Sequence, residues 1–426
     1  MLNIMPLPAG RQPGDPGIPD FGLIGTILDE LHCDELIERL NDYRWTGRPG
    51  YAPEVMWRAT LVRYLLRLRY TRDLIAQLKA SRLLRRVCGL REAVPHEGTF
   101  SRFYARLAEH QDLVDAAIAQ LAERVGEEIE RLRGDGALPD DAPEPGRMVA
   151  LDSSDVEAWG NGKGKTKADA EAKWGHRTAK LAVEGKELFY GYKLHAICDA
   201  YHGTPLSWEV RPANKNDSPE LPGLMDQLKD NHPNLPVRYV MGDRGYDALS
   251  NFQYLDRQKI LAVIDVRDTN KNGLYTAQGQ PRCISGQAME YVRTDRGKGH
   301  LFRCPDGGCQ LKGDKPWLGK NCENEHYEGW DGDLLRRVGR LPRASKRWKR
   351  LYKRRTIVER MFGSLKRSRL LDQHCYLGIN KVRLHIGVSL LTYTATMLGR
   401  LLEDDYAGMR EMKVEMPVAN WTARAA

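Results

Sequence analysis

The period of the apolar residues changes once along this chain, and the change falls on a segment that can extend neither helix nor strand. From about residue 22 to 133 apolar positions recur at helical spacing. Val55, Ala59, Leu61, Val62, Leu65, Leu66 and Leu68 make one such face, with arginines on the other. Thr99 reads as the N-cap of a helix through Leu107, and Leu113 to Leu132 is another long amphipathic run. Gly134 to Arg147 then holds Pro139, Pro143 and Pro145 and reads as a linker. Beyond it the pattern is that of strands. Met148 to Leu151 is an apolar run ending in Asp152, and Val237 to Met241 is another, ending in Gly242-Asp243. Glu187 to Ala200, Thr204 to Val210 and Ile260 to Val266 read as further strands, with helices over Ser218 to Leu228 and Ala248 to Gln258. This order predicts an all-α N-terminal domain followed by a mixed α/β sheet with flanking helices.

Residues 268–335 break the rhythm. They are rich in Gly, Asp, Asn and Cys and read as an inserted, Cys-containing subdomain. The sheet domain, 148–267, resumes over 336–402 with a basic helix from about Ser345 and a buried final helix, Lys381 to Leu402. Residues 1–21, with five prolines, read as a flexible tail, and 403–426 as a C-terminal tail.

A hydrophobic share of 41% fits a globular chain, and a net charge of +9 makes a polyanion the expected partner, whether nucleic acid or anionic membrane. No run reaches the roughly 20 apolar residues that span a bilayer, so a membrane partner is not expected. The N-terminus lacks the basic-then-apolar order of a secretion signal, which points to a cytoplasmic protein whose eight cysteines stay reduced. Cysteines with a shared role would then bind metal. Cys283, Cys304, Cys309 and Cys322 all lie in the insertion, where four thiolates can hold a structural zinc, although no Cys-x-x-Cys pair exists. His326 is an alternative ligand, while Cys33, Cys88, Cys198 and Cys375 sit in apolar patterns and read as packing.

The stretch Tyr352 to Lys366 carries one glutamate in a densely basic segment. In a helix Tyr352, Arg355, Glu359 and Lys366 fall within an arc of roughly 60°. Leu351, Val358, Met361, Phe362 and Leu365 line the apolar stripe beside it. Glu359 can therefore be a salt-bridge partner of Arg355, or a metal ligand facing a phosphate. Asp152 and Asp243 each follow an apolar strand, where α/β sheets gather ligands; either can also simply cap a loop, and Asp155 competes with Asp152. Two strand-end carboxylates and one from a packing helix make an oxygen site suited to Mg²⁺ or Mn²⁺. His195, in the second strand, reads as structural. Arg336, Arg337, Arg340, Arg343, Lys346, Arg347, Lys349 and Arg350 read as a DNA track with Trp348 among them. Arg58, Arg63, Arg67, Arg69 and Arg72 form a second basic group, in the helical domain.

These segments resemble the DDE insertion-sequence transposases with a ribonuclease-H-like catalytic domain. Tyr352, Arg355, Glu359 and Lys366 match that group's Tyr-Arg-Glu-Lys spacing, and Gly242-Asp243-Arg244-Gly245-Tyr246-Asp247 matches the motif around its second aspartate. Gly191 to His195, Asp169 to Gly175, Pro212 to Asn214 with Asp217-Ser218, and the helical segments Tyr51 to Leu68 and Gly98 to Phe103 match in the same order. The resemblance implies a metal-dependent DNA transposase with Asp152, Asp243 and Glu359 as catalytic residues and ligands of two Mg²⁺ or Mn²⁺ ions. Water would cut the transposon end, and the freed 3′-hydroxyl would attack target DNA. Tyr352, Arg355 and Lys366 would hold phosphates near the scissile bond; Tyr352 can equally be a packing aromatic. Arg347, Lys349, Arg350 and Lys353 would hold the double-stranded DNA. By the same analogy the protein works as a homodimer on DNA at the nucleoid.

Overall fold

The computed structural model describes residues 21–31, 33–42, 50–139, 142–160, 162, 169–178, 186–267, 273–283, 285–305 and 325–415. The expected tail over 1–20, residues 416–426 of the C-terminal tail, Cys309 and Cys322 lie outside these residues.

Seven helices come first: α1 Gly22–Glu30, α2 Asp34–Asp42, α3 Pro53–Leu65, α4 Thr71–Ala80, α5 Arg82–Val87, α6 Glu97–Leu107 and α7 Gln111–Gly134. Thr99 does not cap α6. The helix starts earlier, and the His96 ring accepts the Gly98 N–H at 3.2 Å. Arg58 and Arg63 are consumed internally. Arg58 pairs with Asp29 and Glu54, while Arg63 donates to the Leu68 and Arg69 carbonyls and to the Tyr376 hydroxyl.

A six-stranded mixed sheet follows, built from β1 Met148–Glu157, β2 Lys173–Thr178, β3 Lys186–Asp199, β4 Pro205–Pro212, β5 Tyr239–Gly242 and β6 Leu261–Ile264. The order is β2-β3-β1-β5-β6, with β4 also paired to β3. β1 runs antiparallel to β3 and parallel to β5, and β6 is parallel to β5. Two strand readings change. β2 forms where the sequence showed no strand, and β1 continues well past Leu151, so Asp152 lies inside the strand rather than at its end. The polar run Ser153 to Glu157 stays extended because β3 pairs with it out to Glu157↔Gly191. Gly191 is required there: a Cβ would lie 2.2 Å from the Val156 carbonyl oxygen.

Helices α8 Glu220–Asn231 and α9 Leu249–Arg257 cover one sheet face, burying Leu221, Leu224, Met225, Phe252 and Leu255 against Val149, Leu151, Ile197 and Val240. The other face packs on α12 Thr356–Ser368 and α13 Ile379–Leu402, and its apolar cluster continues without a break into the N-terminal helices. Within 268–335 the described residues include a separate antiparallel sheet of β7 Glu290–Asp295, β8 Gly299–Arg303 and β9 Glu325–Glu328. Chain then returns through α10 Leu334–Arg337 and α11 Lys346–Tyr352, the latter capped by Ser345 as its sequence suggests. Lys353–Arg355 is a 3₁₀ turn, so the basic stretch is two helices rather than one. The segment after α13 is not inert, since Met409, Met412 and Val414 are buried.

Candidate active site

Pairing between β1 and β5 sets the site. The register Val149↔Val240 and Ala150↔Met241, carried two residues further, brings Asp152 alongside Asp243. Strand alternation then separates the two acids of β1. Asp152 faces α12, while Asp155, three residues on, belongs to the opposite face and stands across from Lys193. Asp243 ends β5 and caps the short turn Arg244–Tyr246, its Oδ1 accepting the Gly245 N–H at 2.7 Å. The other acid of that motif, Asp247, is held away from the site by Arg336 at 2.5 Å.

Glu359 comes from the first turn of α12. Arg355 Nη1 lies 2.7 Å from Glu359 Oε1 and 3.5 Å from Asp152 Oδ2, so one guanidinium bridges the helix acid to the strand acid. Burial pushes the Asp152 carboxyl up to about 7, and the charge of Asp243 adds to this; the Ser153 N–H and Arg355 oppose it. A partly buried carboxylate facing another is short of positive charge. Among the described residues no three His, Cys, Asp or Glu groups stand close enough together to hold one ion. Two oxygens are adjacent and the third carboxylate is turned onto Arg355.

The remaining residues of the edge divide. Tyr352 stacks on Trp348 with ring centroids 4.6 Å apart, and Arg355 lies 5.7 Å over the Tyr352 ring, so Tyr352 is a packing aromatic that supports the bridging arginine. Lys366 Nζ donates to the Asp155 carbonyl at 2.9 Å, docking α12 on β1. Arg347 donates to the Tyr239 hydroxyl. Lys349, Arg350 and Lys353 are exposed. Upstream, Arg336 and Arg340 are paired with Asp247 and Asp256, and Arg343 is buried on backbone carbonyls.

Asp217, just before α8, is a site neighbour that reading the sequence did not single out as chemical. Its Oδ2 lies 3.5 Å, and Asp243 Oδ1 2.8 Å, from where a Cβ of Gly245 would stand. Lys193 neutralises Asp217 at 2.9 Å, and the fully buried His195 ring lies 3.9 Å from it with neither nitrogen hydrogen-bonded. The signal available was the pairing of β3 with β1, which brings Lys193 and His195 beside Asp155 and Ser153. In the insertion, Cys283 bonds to Ser285 at 2.9 Å and shares a small apolar cluster with Cys304, while His326 pairs with Glu328 at 3.2 Å. No helix among the described residues is long and apolar enough to cross a membrane.

Transposase DDE domain sequences match residues 143–395, and a Transposase domain (DUF772) matches residues 22–106. No curated protein matches. Among solved structures the chain is similar to a piggyBac transposase synaptic complex with hairpin DNA, at 12% identity and a TM-score of 0.40, over 92% of this chain and 78% of that one. The matched span from 143 to 395 holds both paired aspartates and the helix glutamate, and the chain belongs to the DDE transposase family.

Proposed function

We propose that this protein is an active DNA transposase that binds transposon ends, cleaves phosphodiester bonds and joins the freed 3′-hydroxyl ends to target DNA. One observation carries the reading: Asp152 and Asp243 adjoin on paired parallel strands while Arg355 ties Asp152 to Glu359. The order of four strands joined by antiparallel pairing, β1 to β4, followed by β5 and β6 parallel to β1 supports a ribonuclease-H-like catalytic domain.

The donor set fits hard divalent ions, because it is all oxygen and the charge of Arg355 does not offset the burial of Asp152 and the charge of Asp243. Asp152, Asp243 and Glu359 would hold Mg²⁺ or Mn²⁺. Two such ions, when bound, activate an attacking oxygen and stabilise the leaving one. Glu359, with its side chain 49% exposed on the first turn of α12, can swing from Arg355 toward the aspartates. Arg355, once released, presents a planar fork suited to the scissile phosphate. Tyr352 keeps that guanidinium oriented, and Lys366 fixes the helix against β1. Lys349, Arg350 and Lys353, joined by Arg347, would hold the duplex through its phosphates. End recognition falls to residues 22–133, and pairing of two ends calls for a homodimer on DNA at the nucleoid. A structural zinc at Cys283, Cys304, Cys309 and Cys322 belongs to the same proposal, and metal analysis of the purified protein tests it.

Incubating the protein with Mg²⁺ or Mn²⁺ and labelled duplexes carrying the sequences that flank its gene tests the reading. Joined products support it. Cleavage without joining would identify a nuclease, and binding alone an inactive DNA-binding descendant.

A further inference from the structure

Behind the catalytic helix lies a cavity of about 450 Å³ that the acid cluster does not use. Its walls come from three separated segments: the basic turn and start of α12, the β3–β4 turn, and the chain beyond α13. Arg350, Lys353, Arg354, Arg360 and Arg410 line it together with Tyr201. No carboxylate lines it, and among the described residues none of these five cations forms an ion pair. Several other arginines of the sheet domain are neutralised, as in Arg244–Asp265, Arg336–Asp247 and Arg211–Glu220. Asp199, the acid beside the β3–β4 turn, is buried and committed to His202 and to the N–H groups of Gly146, Tyr201 and His202.

Five uncompensated cations around one opening repel each other, and an anion relieves that repulsion. Two of them are fixed in place: Arg354 lies 4.6 Å over the Tyr201 ring, and Arg410 donates to the Tyr201 carbonyl at 3.5 Å. Arg354 is also the direct chain neighbour of Arg355, which bridges Asp152 and Glu359, and consecutive Cα atoms are only about 3.8 Å apart. The Ala200 N–H bonds to the Met148 carbonyl, four residues before Asp152 on β1, so the cavity lies roughly 13 Å along the strand from Asp152, about four nucleotides of duplex rise. Five cations spread over two segments suit a chain of phosphates rather than one small ion.

We propose that the cavity is a second phosphate-binding site, taking phosphodiester groups of the same DNA a few nucleotides from the scissile bond. Arg410, supplied by chain outside the family-matched span 143–395, completes it. The inference rests on the transposase reading but concerns binding, not cleavage.

The test measures the affinity of the full chain for the gene's flanking duplex between about 50 and 300 mM KCl, with log K plotted against log[KCl]. The double variant Arg360→Gln, Arg410→Gln should lower the slope by roughly 2, at about 0.9 per lost phosphate contact. The pair Arg360→Lys, Arg410→Lys should keep the wild-type slope, which separates lost charge from misfolding. A glutamine variant with the wild-type slope overturns the site, even where wild-type protein cleaves normally. A slope that falls as expected in a protein that cuts no DNA upholds the site and overturns the catalytic reading alone. Release of the DNA by poly-glutamate as effectively as by competing DNA, through these same arginines, would assign an acidic protein instead and overturn it.

Discussion

Glu359→Gln separates a chemical role for this carboxylate from a structural one, because the two predict effects of very different size. In the structure Glu359 makes one ion pair, to Arg355 one helical turn earlier, and its side chain is half exposed. Such pairs contribute about 0.3–0.5 kcal/mol. Glutamine keeps the shape and one acceptor oxygen, so melting should shift by no more than about 2 °C for a chain of this size. Chemistry should suffer far more. Glu359 is the only carboxylate that α12 brings toward Asp152 and Asp243, and removing a metal ligand should slow cleavage at least about 10³-fold, or some 4 kcal/mol in barrier. Three readouts on one preparation decide: thermal melting, calorimetric Mn²⁺ titration, and nicking of the labelled flanking duplex. Weaker Mn²⁺ binding with near-normal melting and lost nicking is the expected pattern. Nicking within tenfold of wild type, or a melting drop above about 5 °C, would refute the argument.

Other outcomes follow from the same geometry. Arg355→Ala should slow nicking by about 10²–10³-fold, as loss of a phosphate-stabilising donor does, while Mn²⁺ binds at least as tightly because a competing cation has left the acids. Gly191→Ala should destabilise the fold by at least about 2 kcal/mol in denaturant melts, since its Cβ would collide with the Val156 carbonyl. The metal-free protein should lose stability as pH falls from about 6.5 to 5.5. Burial lowers the folded-state values of His195, His232, His300, His374 and His385, so the unfolded chain binds more protons in that window. Each histidine contributes up to about 1.4 kcal/mol per pH unit, and Asp152, raised to about 7, opposes with one group of the other sign. Melting curves at fixed ionic strength check this, and a flat profile would contradict it.

The acids at the ends of apolar runs were visible in the sequence, and so was the edge shared by Arg355 and Glu359. Each rests on spacing within a few residues, which a one-dimensional pattern records directly. Asp152 and Asp155 could not be told apart that way, because the choice depends on which face of β1 meets α12. Strand β2 was missed because its extension is supported by β3 rather than by an apolar run of its own. Asp169 illustrates the same limit. Buried and bonded to the Tyr192 hydroxyl and the Gly378 N–H, it joins segments more than 200 residues apart.

The helical and strand periods on either side of 134–147 and the helix edge shared by Arg355 and Glu359 were legible in the sequence alone, since both periods and i,i+4 spacing are local. Which cations stay uncompensated was decided by the tertiary structure. Arg340 is neutralised by Asp256, 84 residues away, and Arg336 by Asp247, while Arg350, Lys353 and Arg354 meet no acid among the described residues and gain Arg410 as a neighbour. Charge neutralisation depends on what folding brings within a few ångströms, and no local pattern carries that information.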